Sequence, residues 1–442
     1  MNKPQVAIIS LGCSKNLVDS ERLAKLFETA GFNVAFGLDE LPGDPQYIVV
    51  NTCGFIGDAK EESIETTLEA IALKNEGRVQ QVYLMGCLGE RYRNELTKEM
   101  PELDGIYGKF DWESIITAIG NKKKTEQETK KWERRISTLP HYTYLKIAEG
   151  CNRFCAFCAI PLITGRFKSR TPEDILEETK FLASKGVCEF NVIAQDLSSY
   201  GCDLDEQPKN GQSPLAALIE QMAQIKGVEM IRLHYAYPAD FPMDVLDVMN
   251  KYPNVCRYLD IALQHIDDKV LSNMRRNING ESTRKLLAAI REKVPGIHIR
   301  TTLMVGFPGE DEEAFGRLLD FVKEQRFERM GAFAYCEEDD TYAAKHFADT
   351  IPQEIKQQRL DRLMSLQHEI AFEIAAEKIG KTMKVIVDSE QYPLYVCRSE
   401  FDSPEVDCLV YVSSEEDLRI GGVYDVMITD CEAFDLTGKL VK

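Results

Sequence analysis

The sequence has no run of about eighteen apolar residues, the length a helix needs to cross a bilayer, so no transmembrane helix is expected. Its opening, MNKPQVAIISLGC, lacks the long apolar segment and small-residue cleavage site of a secretory signal, and a cytoplasmic protein with no membrane partner is expected. Internal repeats and low-complexity tracts are missing too. Positive charge is in short supply. Against 72 Asp and Glu stand 53 Lys and Arg, and the net charge of −19 disfavours nonspecific attraction to phosphate backbones while leaving room for a local basic groove. The rest of the composition, 44% hydrophobic and 28% charged, is that of a globular protein, and 442 residues suffice for two or three domains with sizeable cores. Thirteen cysteines are the exception. In a reducing cytoplasm they do not form a disulfide framework, so metal ligation or catalysis is the better reading for any that cluster.

Apolar runs alternate with helical patterns along the first 120 residues: QVAIIS, a helix through SERLAKLFETAG ending at Gly31, YIVVNT, a helix through EESIETTLEAIAL, and VYLMG. This alternation predicts an α/β fold with an open sheet of parallel strands. The charged stretch NKKKTEQETKKWERR, 121–135, has almost no apolar periodicity and reads as a solvated connector closing a first domain, 1–135. Six more strand runs follow: YTYLKIA, CEFNVIAQ, MIRLHYAY, YLDIALQ, HIRTTLMVG and RMGAFAYC. With the helices between them they predict a partial (βα)6 barrel, domain 136–375, whose carboxyl-end loops QDLSSYG, QHIDDK and GFPGE would carry the chemistry. A long amphipathic helix, about 354–379, carries Leu360, Leu363, Met364, Ile370, Phe372 and Ile374 and ends at Gly380. The tail, in a domain 376–442, reads as four short strands, MKVIVDS, LYVCRS, CLVYVSS and VYDVMITD, of a small antiparallel β-barrel.

Three thiols, Cys151, Cys155 and Cys158, crowd into EGCNRFCAFCAIP, residues 149–161. Their spacing also suits one face of a helix. Gly150 and Asn152 favour a loop, however, the array follows the strand run YTYLKIA, and Pro161 interrupts any helix beginning there. A structural zinc site needs four ligands, and no nearby Cys or His supplies the fourth. Three thiolates on a 4Fe-4S cluster leave one iron free to bind a small molecule through an amine and a carboxylate. The C-x3-C-x2-C array, with aromatic Phe157 before its last cysteine, resembles the radical S-adenosylmethionine (SAM) superfamily, in which SAM chelates that free iron.

Cys13, Cys53 and Cys87 each end an apolar run, AIISLGC, IVVNTC and VYLMGC. In a parallel sheet such ends share one edge, which brings together three thiols distant in sequence, and the glycines before Cys13 and Cys87 allow close backbone approach to a bulky ligand. Three buried structural cysteines would explain the pattern as well. Both cysteine sets together with the small C-terminal barrel resemble, over essentially the whole chain, the methylthiotransferases: radical SAM enzymes with an N-terminal cluster domain and a C-terminal TRAM domain. The resemblance implies two 4Fe-4S clusters. Cys13, Cys53 and Cys87 would ligate the auxiliary one and Cys151, Cys155 and Cys158 the one that binds SAM, with Arg166 and Arg170 of ITGRFKSR ordering the loop beyond.

LGCSKNLVDSE resembles the branch of that family acting on a small-subunit ribosomal protein; members that modify tRNA typically carry Gly-Cys-Gln-Met-Asn here. The tail from 381 agrees, since its six basic and thirteen acidic residues leave it at −7, a poor grip for tRNA phosphates and a better match for a basic ribosomal protein. A solvated face without a partner would carry the same charge. The resemblance further implies the chemistry. One electron, from a donor such as flavodoxin or ferredoxin, cleaves SAM to methionine and a 5′-deoxyadenosyl radical that attacks the β-carbon of one aspartate. The auxiliary cluster delivers sulfur and a second SAM the methyl group. Gln195, Asp196 and Gln264 end strands on the chemical face, and Gly306 and Gly309 lie in MVGFPGE. All are candidates for contact with SAM or substrate, although hydrogen bonding within loops or a plain βα turn explains them too. The competing readings are a tRNA adenosine methylthiotransferase and a non-enzymatic iron-sulfur carrier or zinc scaffold; carriers normally give every cluster iron a protein ligand, and each set here has three thiols. Cys188, Cys202, Cys256, Cys336, Cys397, Cys408 and Cys431 have no ligand-like spacing and read as isolated thiols.

Overall fold

The computed structural model describes residues 3–41, 43–120, 130, 132–208, 210–432 and 434–441. Two compact units emerge. One comprises Met1–Thr138 with Glu149–Asn152 and Ala159–Phe167; the other comprises Leu139–Ala148, Arg153–Cys158 and Lys168–Lys442.

In the first unit β1 (Gln5–Ser10), β2 (Asn33–Phe36), β3 (Tyr47–Thr52), β4 (Gln81–Gly86) and β5 (Gly105–Ile106) pair in parallel in the order β2-β1-β3-β4-β5. Helices α1 (Ser14–Thr29), α2 (Gly57–Asn75), α3 (Cys87–Glu99) and α4 (Trp112–Ile119) are interspersed with these strands along the chain. Successive residues of β1 serve opposite cores: Val6 and Ile8 pack with Phe27, Val49 and Ile115, whereas Ala7 packs with Ile48, Ile71 and Leu84. Burial on both faces is why the strands read as unbroken apolar runs. The sequence pattern misses β2 and β5, which at four and two residues are too short to display it. Of the expected solvated connector, residues 121–129 and 131 lie outside the described residues. Its far end is not solvated: Arg134 is buried in an ion pair with Glu21, and Ser137 donates from its backbone and hydroxyl to the same carboxylate at 2.7 and 2.9 Å. Buried Glu21 on α1 requires such partners.

In the second unit six parallel strands run in the order Arg329–Ala334, His298–Val305, Val255–Ile261, Met230–Ala236, Glu189–Ile193 and Tyr142–Lys146, the expected partial barrel. The helix Gln353–Ala376 lays Leu363, Gln367, Ile370 and Ile374 along one stripe. Phe372 falls off that stripe and is 52% exposed, contrary to its place in the expected apolar face. The tail closes into a five-stranded barrel of Thr382–Gln391, Leu394–Ser399, Val410–Ser413, Asp435–Leu440 and Val423–Glu432. Its fifth strand, DLTGKL, has no apolar run to announce it. Closure uses one parallel pairing, Val410–Ser413 with Asp435–Leu440, inside an otherwise antiparallel barrel.

The tail grips the amino ends of the six strands. Glu189, fully buried, accepts from Arg398 at 2.7 and 2.9 Å and also from Arg232. Arg398 reaches on to Asp388 at 2.6 Å, and Asp388 meets His141 at 2.8 Å. The segment between the second and third tail strands adds Tyr142–Glu405 at 2.9 Å, Tyr258–Asp407 at 2.8 Å, Arg329–Asp402 and a ring stack of Phe401 on His298 at 3.9 Å. No described helix is long and apolar enough to cross a membrane.

Candidate functional site

Cys13 stands as the N-cap of α1, Cys53 directly follows β3, and Cys87 opens α3 directly after β4. The carboxyl edge of the sheet therefore brings the three together, as the strand-end argument requires. Gly12 and Gly54 show how tightly. A Cβ on Gly12 would lie 2.8 Å from Cys53 Cβ and 3.0 Å from its Sγ, and one on Gly54 would lie 2.7 Å from the Cys87 carbonyl carbon. Two buried asparagines set the loop before α1. Asn16 Nδ2 donates to the Leu11 carbonyl at 2.7 Å, and Asn51 Nδ2 donates to the Asn16 carbonyl at 3.0 Å. Ser63 of α2 accepts from Cys53 N–H at 3.0 Å and donates to the Cys53 carbonyl at 3.1 Å.

Charged groups of both signs surround these thiols. Buried Lys109 donates to Asp19 at 2.8 Å, lies 3.9 Å from Glu149, and acts electrostatically on all three cysteines. Desolvation raises the Cys13 thiol, but Lys15, Lys109 and the backbone N–H groups of Asn16 and Lys15 together hold it below its ordinary value. Burial pushes Cys53 up, and pushes Cys87 up to about 12. Cys87 packs with Phe55 and with Ala159 and Ile163, residues just beyond the second cysteine array.

That array is shared between the compact units, Cys151 with the first and Cys155 and Cys158 with the second. Cys151 N–H donates to the Gly165 carbonyl at 3.3 Å, and Phe167 N–H to Asn152 Oδ1 at 3.2 Å. In the second unit the loop is anchored through Ala156, which exchanges backbone hydrogen bonds with Met274 and Ala343 and is fully buried among Val270, Met304, Phe307 and Tyr335. Phe157 joins that cluster edge-on to Phe307 at 6.3 Å. Cys155 has two polar neighbours: Arg276 Nη1 at 3.7 Å and the Tyr237 hydroxyl at 4.0 Å. The Tyr237 ring has the guanidinium of Arg153 and that of Arg276 each 4.3 Å from its centroid, and Arg153 is held by Asp196 at 2.7 Å and Asp240 at 3.1 Å. Burial pushes the Tyr237 phenol up to about 12, so it stays protonated and able to donate.

Gln195, Asp196 and Gln264 do lie at carboxyl strand ends of the barrel, with Asp196 engaged by Arg153. Gln264 has φ +69°, bridges to Leu303, and has a buried Oε1 without a hydrogen-bond partner among the described residues. The glycines of MVGFPGE answer to packing: a Cβ on Gly306 would meet Lys356 at 2.4 Å, and one on Gly309 would meet Asn273 at 2.6 Å. Glu310 ends that motif as a buried clamp on Gly306 N–H at 3.0 Å, His265 at 3.1 Å and Arg359 at 2.8 Å. Arg170 does order the chain after the array, through Asp174 at 2.7 Å, Glu178 at 2.6 Å and the Lys146 carbonyl at 2.8 Å. Sequence reasoning missed Lys109, Ser63, Tyr237 and Arg276, whose isolated positions carry no motif. Asn16 and Asn51 were visible only as letters beside cysteines.

Residues 145–322 match the Radical SAM superfamily, 379–441 the TRAM domain, and 5–108 the uncharacterized protein family UPF0004. The ribosomal protein uS12 methylthiotransferase RimO of Bacteroides thetaiotaomicron is 52% identical, with 100% of this chain and 99% of that protein covered. The chain belongs to the RimO family. The RimO protein of Porphyromonas gingivalis is 49% identical, with both chains covered to 100%. Among solved structures, the radical S-adenosylmethionine methyltransferase TsrM from Kitasatospora setae matches with TM-score 0.56 and 16% identity over 76% of this chain and 75% of that one. The cobalamin-dependent S-adenosylmethionine radical enzyme OxsB matches at 0.51 and 12% over 84% and 56%. These two show that a RimO-family chain shares their fold. Each cysteine set of this RimO-family chain offers three thiols, the number that ligates a 4Fe-4S cluster while leaving one iron free. Among the described residues no three Cys, His, Asp or Glu side chains converge as ligands of one ion. Thiolates of an iron-sulfur cluster each meet a different iron and stand further apart.

Proposed function

We propose that this chain adds a methylthio group to the β-carbon of an aspartate in ribosomal protein uS12, in the cytoplasm, using two 4Fe-4S clusters and SAM. The observation that carries the reading is 52% identity to a RimO protein along the full chain. Cys13, Cys53 and Cys87 hold the auxiliary cluster, and Cys151, Cys155 and Cys158 hold the one that binds SAM. The segments 1–135, 136–375 and 376–442 supply the auxiliary centre, the SAM centre and the TRAM tail. When bound, these groups supply a carbon radical, sulfur and a methyl group, with electrons from a flavodoxin or ferredoxin. The chain's own work is placement. Lys109 offsets negative charge beside the first thiol set, Tyr237 and Arg276 donate toward Cys155, and Gln195 and Gln264 offer polar groups at the barrel's chemical end. Gly306 and Gly309 shape the adjoining turn so that SAM approaches its backbone. Burial of Arg398 against Glu189 removes one cation from the surface of an already acidic tail, which supports a basic protein substrate over tRNA.

The test is to reconstitute the protein anaerobically, supply SAM and a strong reductant, offer uS12 and bulk tRNA in parallel, and analyse both by mass spectrometry. A methylthio group on a uS12 aspartate, absent from Cys13→Ala and Cys151→Ala, is the expected result. The modification on tRNA adenosine alone would overturn the substrate assignment.

A further inference from the structure

At the amino ends of the barrel strands, away from the loops that carry the cysteines of the second unit, a cavity of about 920 Å³ lies between the barrel, the end of helix Gln353–Ala376 and the tail. Its size is that of a small-molecule site. Its charges do not cancel. Three of the five lining carboxylates, Glu324, Glu328 and Glu377, are taken by Arg284, Arg291 and Arg326. Glu400 and Asp425 remain against four cations, Arg257, Lys378, Lys381 and Lys384, that form no ion pair among the described residues. In a chain of net charge −19 this is a local excess of the opposite sign.

Two of the lining groups are buried and lack partners, which surface lysines alone would not show. Lys378 is 7% exposed, its ammonium neither donates a hydrogen bond nor forms an ion pair among the described residues, and it lies 5.9 Å from the Phe401 ring. His298 is 9% exposed, stacks on the same Phe401 ring at 3.9 Å, and has an Nδ1 with no hydrogen-bond partner among the described residues. Desolvation and the neighbouring Arg329 hold Lys378 below its ordinary value, with Asp402 opposing. A buried cation without a direct ion pair is costly, and an anion placed in the cavity offsets that cost.

We infer that this cavity binds a phosphate-bearing ligand, with Lys378 and His298 at its floor and Arg257, Lys381 and Lys384 at its rim. Phosphate concentrates two charges on one compact group and accepts from a guanidinium in a bidentate fashion, which suits point-charge lysines around an arginine. The phosphate comes either from a free nucleotide or from RNA.

Calorimetry on the full-length, anaerobically handled protein separates the cases, with pyrophosphate, ATP, a short 5′-phosphorylated single-stranded RNA and a hexaglutamate peptide as probes. Binding of pyrophosphate and ATP identifies a free nucleotide; binding of the RNA alone identifies RNA. In either case Lys378→Met, and separately the rim variant Lys381→Gln with Lys384→Gln, weaken binding by about tenfold or more, at unchanged circular dichroism. The rim variant keeps the test decisive if the buried substitution unfolds the protein. Absence of binding by every phosphate probe, equal binding of hexaglutamate, or affinities untouched by the rim variant would each overturn the inference.

Discussion

Tyr237 is the residue on which the proposed SAM centre offers its cleanest measurement. Its hydroxyl lies 4.0 Å from Cys155 Sγ, and its backbone is pinned to Ser198 on both sides, N–H to Oγ at 2.9 Å and Oγ–H to carbonyl at 2.8 Å. Hydrogen bonds to cluster sulfurs raise reduction potential by stabilising the added electron. Tyr237→Phe is therefore expected to make the potential of the Cys151/Cys155/Cys158 cluster more negative at unchanged iron content. A redox titration followed by electron paramagnetic resonance reads this directly, and an unshifted potential would contradict it. At this scale the sequence was legible where chemistry comes in a motif. The three-thiol array announced itself, whereas Tyr237 and Arg276, brought to it from positions 82 and 121 residues away, did not. Long-range neighbours of a site leave no local pattern.

Elements determine whether the first thiol set survives as a unit. Cys53 and Cys87 are joined through the close approach of Gly54 to the start of α3, so Gly54→Ala forces a methyl to within 2.7 Å of backbone that begins a helix. The expected outcome is loss of the auxiliary cluster with retention of the other, seen as roughly half the iron per chain in a folded protein. Full iron content would show that α3 yields. Strand runs and their order along the chain were readable here because both sheet faces are buried and the runs are continuous. The two-residue β5 and the polar strand DLTGKL were not, since pairing by neighbours rather than side-chain pattern makes them strands. That the three cysteine-bearing strand ends meet was readable because a parallel sheet places its carboxyl ends on one edge.

For the whole molecule the decisive feature is the charged joint between barrel and tail. Glu189 sits at about 2, since the desolvation that raises it is outweighed by Arg398 and Arg232, and Asp388 and Asp402 are also held below their ordinary values by partners that outweigh burial. A carboxylate depressed in the folded state stabilises fully above its unfolded value and loses that contribution as pH falls toward its folded one. Unfolding monitored against pH should therefore show stability falling between about 4.5 and about 2, and Glu189→Gln should flatten that limb. Removing one partner outright is harsher, because it strands buried charge: Arg398→Met is expected to cost about 3–5 kcal/mol by urea denaturation. The sequence showed a tail of separate character, and the TRAM match begins at residue 379. It could not show that Arg398, counted as a surface charge, is spent inside the barrel's foot.

That joint bears on how such chains are put together over generations. The tail has the look of a cassette, with its own barrel and its own family signature, yet five barrel strands present it with groups that its side chains and backbone carbonyls help to satisfy. Exchange of this tail for another would need Glu189, Arg232, Tyr142, Tyr258 and Arg329 to find new partners at once. The barrel and its tail are thus bound to change together, and a chimera joined at residue 376 should fail unless the foot of the barrel travels with the tail.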